Sequence, residues 1–436
     1  MVHNLISRWW RLALLIPFLV LAACNSSGTK DKPEQAPQNF TVTPGDGQVT
    51  ITWTDDPALT YWVFGAAATT VTPDTYATFP EARVLWPVRS PLVVSGLTNG
   101  KTYAFTINAT RSGSGAGPAA TSISAIPRTA GNSWTNSTVG TADFNAVQFN
   151  PYTSTFLSVG NGGAAYTSTD GSNWTARTTG VSADLVGLFF DNVQFLALAS
   201  DGKVLTSSDA ATWTAKTATW DAGFTTQPRP RIRHLVSAAG ALVYFAVGEN
   251  GTLVSAIPDL SAWVVENTGT TRNLNRGYFN STIGFIVVGD GGTILTSPVP
   301  TSTTAQATRV WTQRNSGTTE DLHGIYQATV TQKDATTGAE TAVVNYFVVG
   351  KKGTILRSTD LVTWTADVSN TTQDLYALSG YSQLLAVGAN GTVVIRGTDG
   401  KWMPASTGNA AQLGDLVVGG ARFVAVGKAG AISTAY

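Results

Sequence analysis

Cysteine is all but absent: one in 436 residues, Cys24. That excludes a disulfide framework and a cysteine-based zinc site. Three histidines make a poor stock for a histidine-rich metal centre. Charge is scarce at 12%, with 27 basic and 27 acidic residues in balance. No excess of positive charge offers a grip on nucleic acid. Beyond the N-terminal stretch, no apolar run is long enough to span a bilayer as a helix. What is present is 44 Gly and an aromatic complement of 13 Trp, 17 Phe and 12 Tyr. Such a chain buries a large core, and its Gly, Thr and Val point to many short strands joined by turns, an all-β fold.

Residues 1–23 read as a targeting segment. Arg8 and Arg11 make a positive start, and Leu12 to Ala22 is apolar but short for a membrane span. It runs into Leu21-Ala22-Ala23-Cys24. This resembles the lipobox of bacterial lipoproteins, in which the segment is cleaved and the following Cys lipidated. The resemblance implies a membrane anchor at Cys24, and acyl chains contribute about 0.8 kcal/mol per buried CH2. Asn25 after the Cys implies an outer-membrane address, facing the periplasm or the cell surface. Residues 24–36 are otherwise small and polar, as expected of a flexible tether.

Residues 37–130 show strands with turn signals between them. Gln48 to Thr54 alternates around Trp53, and Lys101 to Asn108 around Tyr103, with Ser95-Gly96-Leu97-Thr98-Asn99-Gly100 between. This pattern resembles a fibronectin type III domain, including its tyrosine corner at Leu97 and Tyr103. The resemblance implies a β-sandwich acting as a spacer or modest binding module, with Trp53, Leu97 and Tyr103 in its core.

Residues 131–436 repeat. Seven copies of an apolar run, a Gly, two residues and a second Gly occur, from FLSVGNGG to FVAVGKAG, with Ala199 replacing the first Gly in the second copy, FLALASDG. The last Gly falls at 163, 202, 251, 292, 353, 391 and 430. A period near 40 with four short strands per unit signals a propeller blade. Trp174, Trp213, Trp263, Trp311, Trp364 and Trp402 head the fourth strand of successive units. The seventh unit ends at Tyr436 without one, and Asn132-Ser133-Trp134-Thr135 supplies it from the start. The expectation is a seven-bladed β-propeller closed by an N-terminal strand, which hides the sheet edges.

Three turns are more particular: STDGSNW (Ser168, Asp170, Trp174), SSDAATW (Ser207, Asp209, Trp213) and STDLVTW (Ser358, Asp360, Trp364). They resemble the Asp-box of sialidase-type propellers, shortened by one residue. An Asp or Ser side chain there holds nearby backbone N–H groups, so these residues read as structural. The repeat also resembles propellers that help assemble photosystem II.

Catalytic chemistry is thinly represented. A sialidase needs an arginine cluster, a Tyr with a Glu, and an Asp acid. The nearest string is Arg231-Ile232-Arg233, and Glu249, Glu266, Glu320 and Glu340 are the propeller's only glutamates. No catalytic residue, metal ligand or cofactor is assigned. One constellation stands out. Aligning the first strands of the blades on their central residue, the preceding position reads Asn145, Val186, His234, Arg276, His323, Tyr376 and Gly414. If these strands line an axis, Asn145, His234, Arg276, His323 and Tyr376 are candidate binding residues at the channel mouth. The expected function is a non-enzymatic surface lipoprotein whose propeller binds a protein or glycan. The alternatives are an assembly factor for a membrane complex or, further off, a sialidase-like enzyme. The basic run Gln227 to Arg233 and the polar insertion Thr331 to Ala342 are additional candidate edges.

Overall fold

The computed structural model describes residues 32–435 except 46, 112–114, 129, 217, 221–231, 239–242, 257–258, 300–308, 334–339, 381–382, 398 and 421. Cys24 and the targeting segment lie outside the described residues. So do Gln227 to Arg231, residues 334–339 of the insertion, and the side chains of 331–333 and Glu340.

The chain divides into two compact units. One comprises 1–43, 50–93 and 102–125, and the other 44–49, 94–101 and 126–436. The first contains an antiparallel sheet in the order Arg83–Val88, Thr60–Ala66, Tyr103–Thr110, Ile123–Ala125. Trp53 packs against Tyr61 at 5.3 Å between ring centroids. The Tyr103 hydroxyl donates to the Glu81 carboxylate at 2.5 Å. The long loop after Ala66 carries Tyr76 back onto Phe64. Chain segments Thr41–Gly45, Gln48–Thr52 and Leu92–Ser95 form a separate three-stranded sheet.

In the second unit, seven sheets follow one another among the described residues, each built on an antiparallel meander of four strands. The third carries an extra two-residue strand, Thr219–Trp220, on its outer edge. The first sheet runs Phe144–Asn150, Thr155–Gly160, Ala165–Ser168, Thr175–Arg177. In the seventh, Leu413–Gly419, Arg422–Gly427 and Ala431–Ala435 are completed by Trp134–Thr138. That pairing is antiparallel, with Ala435 opposite Trp134 and Ala431 opposite Thr138. Each first strand lies beside the first strand of the next sheet, and Leu413–Gly419 lies beside Phe144–Asn150. The succession therefore returns on itself.

Burial explains the composition of each strand. Second strands are covered on both faces by neighbouring sheets, so they are continuous apolar runs, such as Phe195–Ala199 and Val243–Gly248. Fourth strands are short and exposed at every residue in Thr175–Arg177 and Thr214–Lys216. Short polar edges of this kind discourage edge-to-edge pairing.

Among the described residues, seven apolar clusters join consecutive sheets, and each takes the tryptophan of a fourth strand, with Trp220 added beside Trp263 in one of them. Trp213 packs where sheets one and two meet, with Leu157 and Leu205. Trp263, Trp311, Trp364 and Trp402 repeat this at the next four junctions. Trp134 fills the sixth junction, and Trp174 the last, where Phe144 and Val147 meet Val424 and Ile432. The tryptophan at the head of each fourth strand is thus the wedge between blades. Trp402, 1% exposed, is among the most enclosed.

The two repeat glycines have separate reasons. Gly163 sits at φ +75°, and a Cβ there would lie 2.0 Å from the Val181 carbonyl oxygen. Gly160 is extended, but a Cβ would lie 2.1 Å from the Asp143 carbonyl oxygen. The second glycine of the repeat, Gly163, supplies left-handed backbone as well as room; the first, Gly160, only room.

A stitch between blades was not legible as a motif. The residue before a first strand is Asp143, Asp184, Asn273, Asp321 or Asp374 in five blades. Its side-chain oxygen accepts the backbone N–H of the preceding blade's hairpin at Ala429, Gly162, Asn250, Gly291 or Lys352, at 2.8 to 3.0 Å. Each stitch satisfies a turn N–H and fixes one blade against the next.

Candidate binding site on the axis

The first strands place their side chains in layers along the axis. Each strand carries a β-bulge near its start, where one residue lacks a partner on the second strand. These residues are Asn145, Val186, Arg233, Asn275, His323, Tyr376 and Gly414. The alignment expected from sequence is therefore corrected by one residue in blades three and four. The equivalents of Asn145 there are Arg233 and Asn275, and His234 and Arg276 sit one step deeper. The bulge is invisible in an alignment based on apolar residues alone.

All five candidate residues nevertheless share one space. Asn145, His234, Arg276, His323 and Tyr376 line a cavity of about 140 Å³, with Arg233, Asn275 and Asp415 beside them. A neighbouring cavity of about 210 Å³ is lined by Asn145, Val186, Ile232, Arg233 and Glu249.

The bulge layer is polar and interlinked. The Asn145 amide donates to Asn161 Oδ1 and the Leu185 carbonyl, both at 2.9 Å. The Asn275 amide donates to Asp290 Oδ1 at 2.7 Å and the Leu322 carbonyl at 2.8 Å. Arg233 donates to Asn275 Oδ1 at 2.5 Å and faces Glu249 at 3.5 Å. His323 and Tyr376 lie ring to ring at 5.0 Å. The buried Nε2 of His323 has no hydrogen-bond partner among the described residues. Burial holds His323 below its ordinary pKa, against the pull of Asp321, Asp290 and Asp374. Burial and then the Asp374 carboxylate raise Tyr376. Both rings are accordingly neutral near pH 7.

One residue deeper the layer changes. Four blades present Ala146, Gly187, Gly324 and Ala377, and the other three His234, Arg276 and Asp415. Arg276 donates to Asp415 Oδ1 at 2.6 Å, between blades four and seven. Asp415 Oδ2 also accepts the Val147 N–H at 2.9 Å. The side chains are 16% and 5% exposed. His234 Nδ1 accepts the Gly277 N–H at 3.5 Å, so its proton belongs on Nε2. Burial, then the Arg276 charge, hold His234 neutral.

Two residues deeper still, the strand period brings the next set to the axis: Gln148, Phe189, Tyr278, Tyr326, Ser379 and Val417. They line a larger cavity of about 500 Å³, with His234 and Arg276 also in its wall. The axis is polar at one end and aromatic at the other, with the Arg276–Asp415 pair between.

The three Asp-box turns are built as their chemistry implies. Asp170 Oδ1 accepts the N–H groups of Ser172 and Asn173 at 2.8 and 2.7 Å, and the Ser168 hydroxyl at 2.9 Å. Asp209 and Asp360 do the same with Ala211, Thr212 and Ser207, and with Val362, Thr363 and Ser358. Burial pushes the Asp170 carboxyl up, but the bonds from Asn173, Ser172 and Ser168 outweigh it and bring it down to about 2. Asp259 and Asp399 hold single turns in blades three and six in a reduced form. Trp174, Trp213 and Trp364 serve the blade junctions.

Among the described residues, no group of three or more His, Cys, Asp or Glu side chains converges as a metal site would. Glu249, Glu266 and Glu320 face Arg233, Arg309 and Lys352 instead of one another. The residues that sequence reasoning missed are Arg233, Asn275, Asp415 and the aromatic layer. The period-2 alternation after the bulge was the available signal for the last.

Successive four-stranded sheets whose first strands surround an axis define a β-propeller. Solved structures agree. The chain is similar to a structure described as YCF48 bound to D1 peptide, at 14% identity and a TM-score of 0.52, over 70% of this chain and 94% of that one. It is also similar to YCF48 from Cyanidioschyzon merolae, at 14% identity and a TM-score of 0.50, over 69% of this chain and 98% of that one. No family model and no curated protein matches the sequence.

Proposed function

We propose that this chain is an envelope lipoprotein that acts as a non-enzymatic scaffold. Its propeller grips a segment of a protein partner at the polar end of the axis, in the manner of an assembly factor. Cys24 is the lipid-bearing residue, in the outer membrane, and 24–36 the tether. Residues 37–130 are a fibronectin type III spacer. The observation that carries the reading is the bulge layer, where neutral His323 and Tyr376 face one polar cavity beside anchored Asn145 and Asn275. Such a surface offers hydrogen bonds to a backbone without demanding a charged ligand. A propeller of the same fold carries a D1 peptide, which lends support. A sialidase-like enzyme needs free arginines around a carboxylate, whereas Arg276 is paired with Asp415 and Arg233 with Asn275 and Glu249.

The test is crosslinking of the intact chain in native envelope extracts, with identification of what is captured. A His323→Ala/Tyr376→Phe variant runs beside it, since neither change opens the Arg276–Asp415 pair. One protein recovered with the wild type and lost with the variant supports the scaffold. Equal capture by both removes the polar mouth as the site.

A further inference from the structure

The larger axial cavity has a chemistry of its own. Its wall alternates rings with small polar groups: Phe189, Tyr278 and Tyr326 stand among Gln148, Ser281 and Ser379. About 500 Å³ is within the range of sites that enclose small ligands. The rings are held from behind. Tyr326 donates its hydroxyl to the Gly380 carbonyl at 2.5 Å, and Tyr278 packs in the junction of blades four and five. The side chains of Gln148 and Ser379 have no partner among the described residues, although Ser379 is 5% exposed. A hydroxyl and an amide open to the same cavity are free to meet a ligand there.

Charge decides the class of occupant. Arg276 and His234 stand in its wall; Asp415, outside the lining, answers the Arg276 charge, and His234 is neutral. A carboxylate ligand would set a second negative charge near Asp415 in a partly buried site. A wholly apolar group would leave Gln148, Ser379 and the outward N–H groups of Arg276 without partners. A pyranose ring meets both demands. Its C–H face lies on an aromatic ring, and its equatorial hydroxyls reach amide, hydroxyl and guanidinium groups around the rim.

We propose that the aromatic cavity around Gln148, Tyr278, Tyr326 and Ser379 binds a neutral pyranose unit of a glycan. The site shares His234 and Arg276 with the polar mouth but none of these four residues, so either can fail without the other.

The experiment is saturation-transfer NMR on the intact chain in detergent micelles. The probes are methyl glycosides of glucose, galactose, mannose and N-acetylglucosamine, with glucuronate as the charged counterpart. At least one neutral glycoside is expected to bind, and glucuronate more weakly. Gln148→Leu is expected to weaken binding about tenfold, while His323→Ala leaves it unchanged. If Gln148→Leu lowers the melting temperature, Ser379→Ala gives the same reading with a smaller perturbation. Absence of binding by every neutral glycoside, preference for glucuronate, or binding indifferent to both cavity substitutions would each overturn the proposal.

Discussion

Arg276 and Asp415 are 139 residues apart in sequence, yet the guanidinium donates to the carboxylate at 2.6 Å on the propeller axis. The pair ties blade four to blade seven and separates a polar cavity from an aromatic one. The sequence offered Arg276 as a candidate binding residue at the channel mouth. In the structure its charge is already answered.

Removing one partner of this pair is expected to cost more than removing both. Asp415→Ala leaves the Arg276 charge and the Val147 N–H unanswered, and a loss of about 3–5 kcal/mol is expected for a broken buried pair. Arg276→Met with Asp415→Asn keeps an acceptor for Val147 and removes both charges, so it is expected to recover most of that loss. Urea midpoints of the single and double variants check this. A double variant no more stable than Asp415→Ala would sink the account.

His234 predicts a pH dependence. Its folded pKa is depressed by burial and then by Arg276. The unfolded chain takes up a proton near the ordinary value of 6.5, whereas the folded chain does not. Stability from this group is therefore complete above about pH 6.5 and declines as pH falls below it. His234→Asn is expected to flatten that part of the stability curve, as measured by chemical denaturation between neutral and mildly acidic pH.

The hairpin glycines separate strain from space. Gly162 has φ +65° and open room for a Cβ, so Gly162→Ala is expected to cost about 1 kcal/mol. At Gly163 the same change forces a Cβ into the Val181 carbonyl, and a loss of about 3 kcal/mol or more is expected. Thermal melts of the two variants give the comparison, and similar melting points would contradict it.

The strand Trp134–Thr138 closes the seventh sheet, and Asn136 secures it by donating to the Thr407 carbonyl and accepting from Ser433, both at 2.7 Å. A chain shortened to start at Val139 exposes the edge of Ala431–Ala435. It is expected to melt earlier and to self-associate through that edge. Sedimentation would report the oligomers, and adding the missing strand as a peptide should reverse them. A monomer of unchanged stability would show that this strand is dispensable.

What could be read from the sequence was local and periodic. The glycine pair recurs in six of the seven second-to-third-strand hairpins because they meet the same steric demand, as Gly160 and Gly163 show; the second blade has Ala199 at the first position. The tryptophans recur because every blade junction needs the same wedge. The missing fourth strand of the last unit, with its counterpart at Trp134, was visible by counting. So were the turns at Asp170, Asp209 and Asp360, whose bonds span two or three residues.

The axis was decided by tertiary structure. A bulge is a matter of how one strand pairs with another, so the sequence alone put His234 and Arg276 level with Asn145 instead of one residue deeper. Asp415 gave no sign of its partner, since nothing local links residues 139 apart. Whether Arg276 is a free charge, and whether Gln148 faces the same space as Tyr278 and Tyr326, depends on bringing blades together around a centre. The sequence by itself determined the repeating unit, because each blade's hairpins and wedges are short-range. Only the closed arrangement determined the charge and shape of the axis, because each blade contributes a single strand to it.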